Sequence, residues 1–383
     1  MRDPEPGIAC RGGTEEASMA NEARPRRRPL RVIQWSTGNA GRKALRGILN
    51  HPDLELVGVH AHSAEKVGRD AAELCGWGKP TGVVATDAVE ALLALDADCV
   101  CYTAQGETRI RATVEDLCRI LESGKNVVNT AIVSLVYPPF SSPKIRSRLE
   151  AACAQGGSTF FTSGFDPGWS GDVIPLALAS ACERVDSVRV SELMDYSTYE
   201  DPNFTGVYFG FGRPLDFAAP MLQPGMLQGG WGGMLLLLAD GLGMKLDEIR
   251  EEHERLPAPD TFETAMGKIE KGTCAAVRFE VQGIVAGRPA LIAAHVNRLR
   301  DDIGPRWDRL SGNKKSGYKI EVKGSPSFTC EIEPVGEDGD HNTAGITGTA
   351  MRVVNAIPVV CDAAAGVVSI LDLPIFTARV PAR

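Results

Sequence analysis

The sequence predicts an α/β protein: a doubly wound parallel sheet near the N-terminus, then a second α+β domain whose sheet is mostly antiparallel. Three observations carry this. Short apolar runs alternate with helical patterns from residue 30 to residue 164, the rhythm of a parallel sheet covered on both faces. The first run, residues 30–35, ends in a glycine turn (Gly38, Gly41) that opens a helix. After Gly164 the rhythm gives way to long alternating segments divided by turn residues, which read as hairpins.

Residues 30–35 are the first strand. A helix follows over 40–50, with Ala44, Leu45, Ile48 and Leu49 on one face, and Pro52 stops it. Residues 54–59 form the second strand and 66–74 a helix ended by Gly76 and Gly78. Residues 83–84 form a short third strand, and 87–95 a helix capped by Thr86 or Asp87. Residues 99–102, 127–128 and 159–162 are further strands. Helices lie between them at 108–122, with Gly124 past its end, and at 143–154. In the second half a helix is expected over 172–181 and an alternating strand over 185–193. Hairpins are expected at 275–285 with 291–299 and at 318–322 with 328–332. Residues 336–342 read as a loop. Residues 347–364 read as a helix that Pro358 should kink and that returns to the first domain. These boundaries divide the chain into a tail (1–29), a Rossmann domain (30–164), an α+β substrate and dimerisation domain (165–345) and a returning C-terminal helix (346–383).

Composition narrows the function classes. The 383 residues are 43% hydrophobic and 23% charged, with a net charge of −8. A nucleic-acid partner is not expected, because no excess of Lys and Arg is present to neutralise phosphates. No apolar run reaches bilayer length; the longest, 234–239, lies among glycines. The ten cysteines form no C-x-x-C pair. Zinc is therefore not expected, and several cysteines fall in apolar patterns as reduced thiols, which fits a reducing cytoplasm. Residues 1–29 are rich in Pro, Gly, Glu and Arg, carry no signal-peptide core, and read as a solvated, disordered tail in which Met19 is a candidate start.

The glycine turn is the strongest functional signal. Thr37, Gly38, Asn39, Ala40, Gly41 and Arg42 sit where a strand gives way to a helix, and free amides there face an anion such as a pyrophosphate. The motif is G-x-x-G rather than the full G-x-G-x-x-G, so a purely structural turn is the alternative. In an NAD site an acid usually ends the second strand. Here that stretch holds His62, Ser63, Lys66 and Arg69. A hydroxyl and two cations, on one helical face, suit a 2′-phosphate. The sequence therefore favours NADP(H), with NAD(H) as the alternative coenzyme and a solvated helix face as the plain one. His60 and His62 lack a third metal ligand, so no metal is assigned.

Thr103 and Ala104 after the fourth strand and Asn129 and Thr130 after the fifth lie at the sheet edge where ligands bind. Glu107 is placed there to hold an amine or take its proton; the alternative is a first-turn helix acid. Phe165, Asp166 and Trp169 mark the domain crossover and are candidates for walling a substrate pocket, with Asp166 alternatively a turn residue. Tyr199 and Phe204 belong to an aromatic group that also includes Tyr196, Tyr208, Phe209 and Phe211, read as substrate pocket, core or dimer contact. His295 and Trp307 are further candidates.

Residues 32–42, 59–70, 124–128, 166–168 and 354–358 together resemble the 2,4-diaminopentanoate dehydrogenase and native amine dehydrogenase family, often labelled dihydrodipicolinate reductase-like. The resemblance spans about residues 30–375. It implies a Rossmann domain, an inserted mixed domain, a C-terminal helix packed on the first domain, a homodimer, and NAD(P)H-dependent interconversion of small amines with ketones or aldehydes. It also implies an amine-binding acid just after the fourth strand, where Glu107 is the match. The paired histidines of true dihydrodipicolinate reductases are absent, so that activity is not expected. A carbonyl or imine reductase that uses no ammonia and a non-catalytic NADPH sensor remain the competing readings.

Overall fold

The computed structural model describes residues 28–199, 203–312 and 314–379, with the side chains of 203 and 204 also outside the described set. The first sheet is built from β1 (Leu30–Trp35), β2 (Leu54–His60), β3 (Ala85–Thr86), β4 (Cys99–Tyr102), β5 (Asn126–Asn129) and β6 (Thr159–Thr162). Between them run α1 (Asn39–Asn50), α2 (Ala71–Cys75), α3 (Val89–Leu93), α4 (Ile110–Glu122) and α5 (Pro143–Gly156). Val32, Ile33, Val100, Val127 and Phe160 are fully buried, because a parallel sheet is covered on both faces.

The second half begins with α6 (Val173–Ala179) and β7 (Arg184–Asp195), followed by α7 (Met226–Gly241) and β8 (Glu248–Pro257). The small hairpin β9 (Phe262–Thr264) and β10 (Gly267–Ile269) precedes the long strands β11 (Cys274–Val285), β12 (Arg288–Arg298), β13 (Gly317–Ser325) and β14 (Phe328–Ile332). The chain then returns through α8 (His341–Asp362) and β15 (Gly366–Val368).

The parallel sheet has the order β15-β6-β5-β4-β1-β2-β3. From β1 the chain winds outward through β2 and β3, and from β4 it winds the other way. The reversal leaves a crevice between the C-terminal ends of β1 and β4, the place where open α/β sheets bind ligands. The second sheet has the order β14-β13-β7-β12-β11-β8. Its pairings are antiparallel except for β7 with β12, which run parallel. The sheet is therefore mostly antiparallel, as expected, with a parallel pair that no local pattern announced.

Several elements differ from their sequence expectation. The helix expected over 66–74 is only α2, starting at Ala71. Gly68 at φ 85 breaks any earlier helical run. Asp70 caps the helix, accepting from the amides of Ala72 (2.7 Å) and Gly82 (2.8 Å). Lys66 and Arg69 therefore do not share a helical face. The C-terminal helix starts at His341 rather than 347, because Asp340 Oδ2 accepts from Thr343 N at 2.7 Å. Pro358 lies inside α8 without ending it. Its neighbours Val354, Ile357 and Val360 are buried with Ala44, Leu45 and Ile48 of α1, and this packing holds the helix in place. Among the described helices α8 alone is long and apolar enough to cross a membrane, by length and composition; its buried face sits in the core of the first domain.

Candidate active site

The coenzyme end is built by local geometry. β1 stops at Trp35, and Ser36 turns the chain with a left-handed φ of 80°. A Cβ on Gly41 would stand 2.3 Å from the Ser36 carbonyl oxygen, so only glycine lets α1 start this close to the turn. Gly38 precedes α1 with no side-chain cap, and the first turn holds no acid. The turn is braced from below. Gln34 Nε2 donates to Ser36 O (2.8 Å) and to Thr103 Oγ1 (2.7 Å), and Thr103 N donates to Trp35 O (3.0 Å). Gln34 was not foreseen; a buried amide in an otherwise apolar strand was its only signal. These residues fit a dinucleotide. A cradle closed by glycine, with an uncapped helix start facing open space, suits a pyrophosphate.

After β2, Lys66 Nζ donates to Thr37 O at 3.3 Å, which sets a cation against the turn. Arg69 instead pairs with Glu73 (3.1 Å), a half-exposed contact worth little on its own. Ser63 lies nearest Glu65, and His62 is exposed. His60 stacks on Trp35 with centroids 4.2 Å apart. Burial, with His62 adding to it, lowers its pKa to about 4, so it stays neutral.

A cleft of about 640 Å³ opens from this turn toward the second sheet. Gly38, Asn39, Ala40 and Thr103 line one wall, and Phe165, Asp166 and Tyr199 another, which brings those sequence candidates together. The remaining candidates fall elsewhere. Asn129 Nδ2 donates to Phe161 O and Thr162 Oγ1 (both 2.9 Å) and so staples β5 to β6. Thr130 N donates to Tyr102 O, and Ala104 packs against the core. Arg42 reaches Asn39 along α1. Trp169 packs on Phe165 and faces a separate apolar cavity. The Phe204 side chain lies outside the described residues.

Glu107 is not in the cleft. Its Oε1 accepts from Val133 N at 2.6 Å and ties two loops at the protein surface. This placement does not fit a proton-transfer role. Replacing Glu107 by Gln, whose carbonyl still accepts that bond, is expected to leave kcat/KM within about threefold of wild type. A hundredfold loss in steady-state turnover would return Glu107 to the chemistry.

Two acidic residues line the cleft: Glu192 by its side chain, and Asp166 from the crossover loop, with its carboxylate turned inward and 2% exposed. Strand register explains the first. Glu192 on β7 is the register partner of His295 on β12 and of Tyr318 on β13, and His295 in turn is paired with Phe279 on β11. Paired residues put their side chains on one face, so one row across four strands carries Phe279, His295, Glu192 and Tyr318. His295 Nδ1 lies 3.3 Å from Glu192 Oε1, and His295 Nε2 lies 3.1 Å from Asp166 Oδ2. Tyr196 donates to Glu192 Oε1 (3.3 Å) and Tyr318 to Glu192 Oε2 (3.1 Å). Phe279 stacks on the imidazole at 4.4 Å, and Trp231 meets it edge-on at 4.5 Å.

The electrostatics follow from burial and pairing. Burial alone would lower the His295 pKa, but Asp166 and Glu192 outweigh it and lift it to about 9. Burial pushes Asp166 up, and the imidazole opposes that. Burial and the nearby carboxylates push Tyr196 and Tyr318 well above the ordinary phenol value, so both stay protonated donors. Asp166, Glu192 and His295 are close enough to be considered as a metal site. The ring, however, stands between the carboxylates with one nitrogen turned to each. That is a proton-holding arrangement rather than a set of ligands converging on one point.

A dinucleotide cradle at a strand-order reversal, facing an acid–imidazole row across a domain crevice, defines a two-domain oxidoreductase on a Rossmann fold. The C-terminal domain model of 2,4-diaminopentanoate dehydrogenase matches residues 170–382. The chain is 38% identical over 348 residues to an amine dehydrogenase of Streptomyces virginiae, covering 90% of this chain and 96% of that one. It is 22% identical over 265 residues to the 2,4-diaminopentanoate dehydrogenase of Acetoanaerobium sticklandii, covering 67% and 68%. The structure of amine dehydrogenase from Mycobacterium smegmatis has the same fold, with a TM-score of 0.74 at 20% identity over 91% of this chain and 97% of that one. The chain belongs to the 2,4-diaminopentanoate dehydrogenase and amine dehydrogenase family.

Proposed function

We propose that this protein interconverts a small primary amine and its ketone or aldehyde, with NADP(H) preferred over NAD(H). The observation that carries the reading is the Glu192 carboxylate in the cleft, backed by the buried Asp166 carboxylate across His295, with neither Lys nor Arg among the described lining residues. Such a floor attracts an ammonium group. A substrate carboxylate would meet acids there and no cation, so the favoured substrates are amines without an acid group. This separates the chain from its 2,4-diaminopentanoate relative. Tyr196, Tyr199, Tyr318, Phe165 and Ile346 supply an apolar, aromatic wall for the carbon skeleton.

The dinucleotide, held by Gly38, Asn39, Ala40 and Gly41, supplies the hydride acceptor or donor when bound. The chain supplies position and proton handling. A carboxylate takes one proton from the ammonium and frees the nitrogen lone pair. As hydride leaves the adjacent carbon, the carboxylates stabilise the iminium charge that forms. Glu192 then takes a proton from the water that adds to the C=N carbon and returns it to the nitrogen of the carbinolamine, whose C–N bond breaks as the C=O forms and nitrogen departs as ammonia. Protonated amine, water and oxidised coenzyme thus give carbonyl, ammonium, reduced coenzyme and one proton, which leaves through the carboxylate to solvent.

The test is spectrophotometric. Amines lacking a carboxylate should reduce the coenzyme, and ketones should oxidise it only with ammonium present. Equal rates with and without ammonium would make the protein a carbonyl reductase, and coenzyme binding without turnover would make it a sensor. For coenzyme choice, Lys66→Ala should raise the KM for NADPH at least about tenfold more than that for NADH. Arg69→Ala should add less, since Arg69 is turned to Glu73. Equal effects on both coenzymes would remove this segment from the 2′-phosphate.

A further inference from the structure

Glu192 reaches the cleft with its side chain 11% exposed, whereas the Asp166 carboxylate and His295 lie behind it with side chains 2% and 4% exposed, and Phe279 and Trp231 close His295 in. Among the described residues the titratable groups that act on it are Asp166 and Glu192, with buried Asp172 and its neighbour Arg352 standing beyond Asp166. Asp166 comes from the loop after β6, Glu192 from β7, and Tyr196 and Tyr318 reach it only through Glu192. A neutral imidazole has one N–H and can donate to one carboxylate only. Here each ring nitrogen stands within 3.3 Å of a carboxylate oxygen, and only the doubly protonated ring turns a hydrogen and its positive charge to both acids. Two carboxylates flanking one buried group would otherwise repel each other, and one of them would keep its proton at neutral pH.

We infer that His295 is a positioning residue, a buried imidazolium bridge that keeps Asp166 and Glu192 ionised together, so that Glu192 meets the substrate ammonium as a carboxylate with the Asp166 charge buried behind it. The inference deepens the proposed amine chemistry and rests on it for its catalytic meaning. The bridge itself touches neither substrate nor coenzyme. Its effect is electrostatic: a single positive charge between two acids leaves the unit with one net negative charge, which matches a monocationic amine. Burial opposes the charged form of His295, and the two carboxylates more than repay that opposition. Phe279 and Trp231, packed on the imidazole and on each other, exclude water that would screen the bridge, and the stacked Phe279 ring holds the imidazole plane.

The test compares pH profiles. In His295→Gln the amide keeps a polar group in β12 but removes the charge, so the carboxylates should become harder to ionise. The acid limb of kcat/KM for amine oxidation should move up by about one unit or more, with roughly tenfold or greater loss at pH 6 and near-wild-type activity at pH 9. Coenzyme affinity should not change. A loss of the same factor at every pH would mean that His295 only supports the packing, and would overturn the bridge. A second measurement needs no variant and no turnover. With histidine-selective isotope labelling of the wild-type protein, one of the six imidazoles should remain protonated at pH 8. A set that is wholly neutral at that pH would overturn the inference whatever the amine assay shows, whereas an inert amine panel would overturn the proposed reaction.

Discussion

Glu192→Gln should lower amine turnover at least about a hundredfold, a loss of about 3 kcal/mol of transition-state stabilisation, while coenzyme affinity stays unchanged. Glu192 lines the cleft and is held on both oxygens, by Tyr318 on one and by Tyr196 and His295 on the other. The amide is the same size, so packing in the row across β7, β12 and β13 survives. Its charge does not survive, and an amide is no base. It also presents an NH₂ where one of these donors now points, and it leaves His295 with a single counter-ion. Stability should therefore fall by about 1–3 kcal/mol as well, as expected when a buried charged hydrogen bond loses one partner. Stopped-flow or steady-state absorbance reports the turnover, and a coenzyme fluorescence titration separates it from binding. A variant that keeps turnover within about threefold of wild type would take Glu192 out of the chemistry.

The contrast with Glu107 shows what could be read from the chain alone. Glu107 follows a strand at the right sheet edge, so position in sequence singled it out, and its carboxylate is spent on the Val133 amide. Glu192 is one acid in a strand that alternates, and only the pairing of β7 with two distant strands gives it His295 and Tyr318 as neighbours. No local pattern encodes that pairing. His295 attracted notice as a lone residue, and its meaning depends on the same register. The glycine turn was legible because its chemistry is local: strand, glycine and helix are consecutive.

The fold divides along the same line. The strand–helix units of the parallel sheet carry their own apolar periodicity and were read nearly in full. α7 was missed, because five glycines stand within its Met226–Gly241 span and glycine weakens a helix. Tertiary packing overrides that preference: a Cβ on Gly232 or Gly233 would press on the Phe140 ring at 3.0 Å. β8 was missed for the opposite reason. It is an edge strand rich in Glu and Arg, and charged edges look like loops in sequence while protecting the sheet from further pairing. β15 is three residues long and adds to the first sheet beside β6, far from it in sequence.

Two neighbouring glycines give the second large effect, and they should fail in different ways. In Gly41→Ala the new methyl meets the Ser36 carbonyl oxygen at 2.3 Å and Thr103 Oγ1 at 2.9 Å. Neither yields readily. Ser36 O is held by Gln34, Ser36 N donates to the His60 carbonyl, and Thr103 donates to Trp35 O. The turn must open, which should cost about 1–3 kcal/mol of stability and at least about a hundredfold in coenzyme affinity. In Gly38→Ala the methyl meets nothing nearer than Ser36 Oγ at 4.0 Å, and it enters the cleft wall. The fold should keep its stability to within about 1 kcal/mol, since an alanine there costs only a mild capping preference. Coenzyme affinity should still collapse, because the methyl takes the space through which the helix amides reach a pyrophosphate. Thermal denaturation beside a coenzyme titration distinguishes the two variants. If Gly38→Ala bound coenzyme as tightly as wild type, the anion would not sit at the start of α1, and the cleft would have to be read without it.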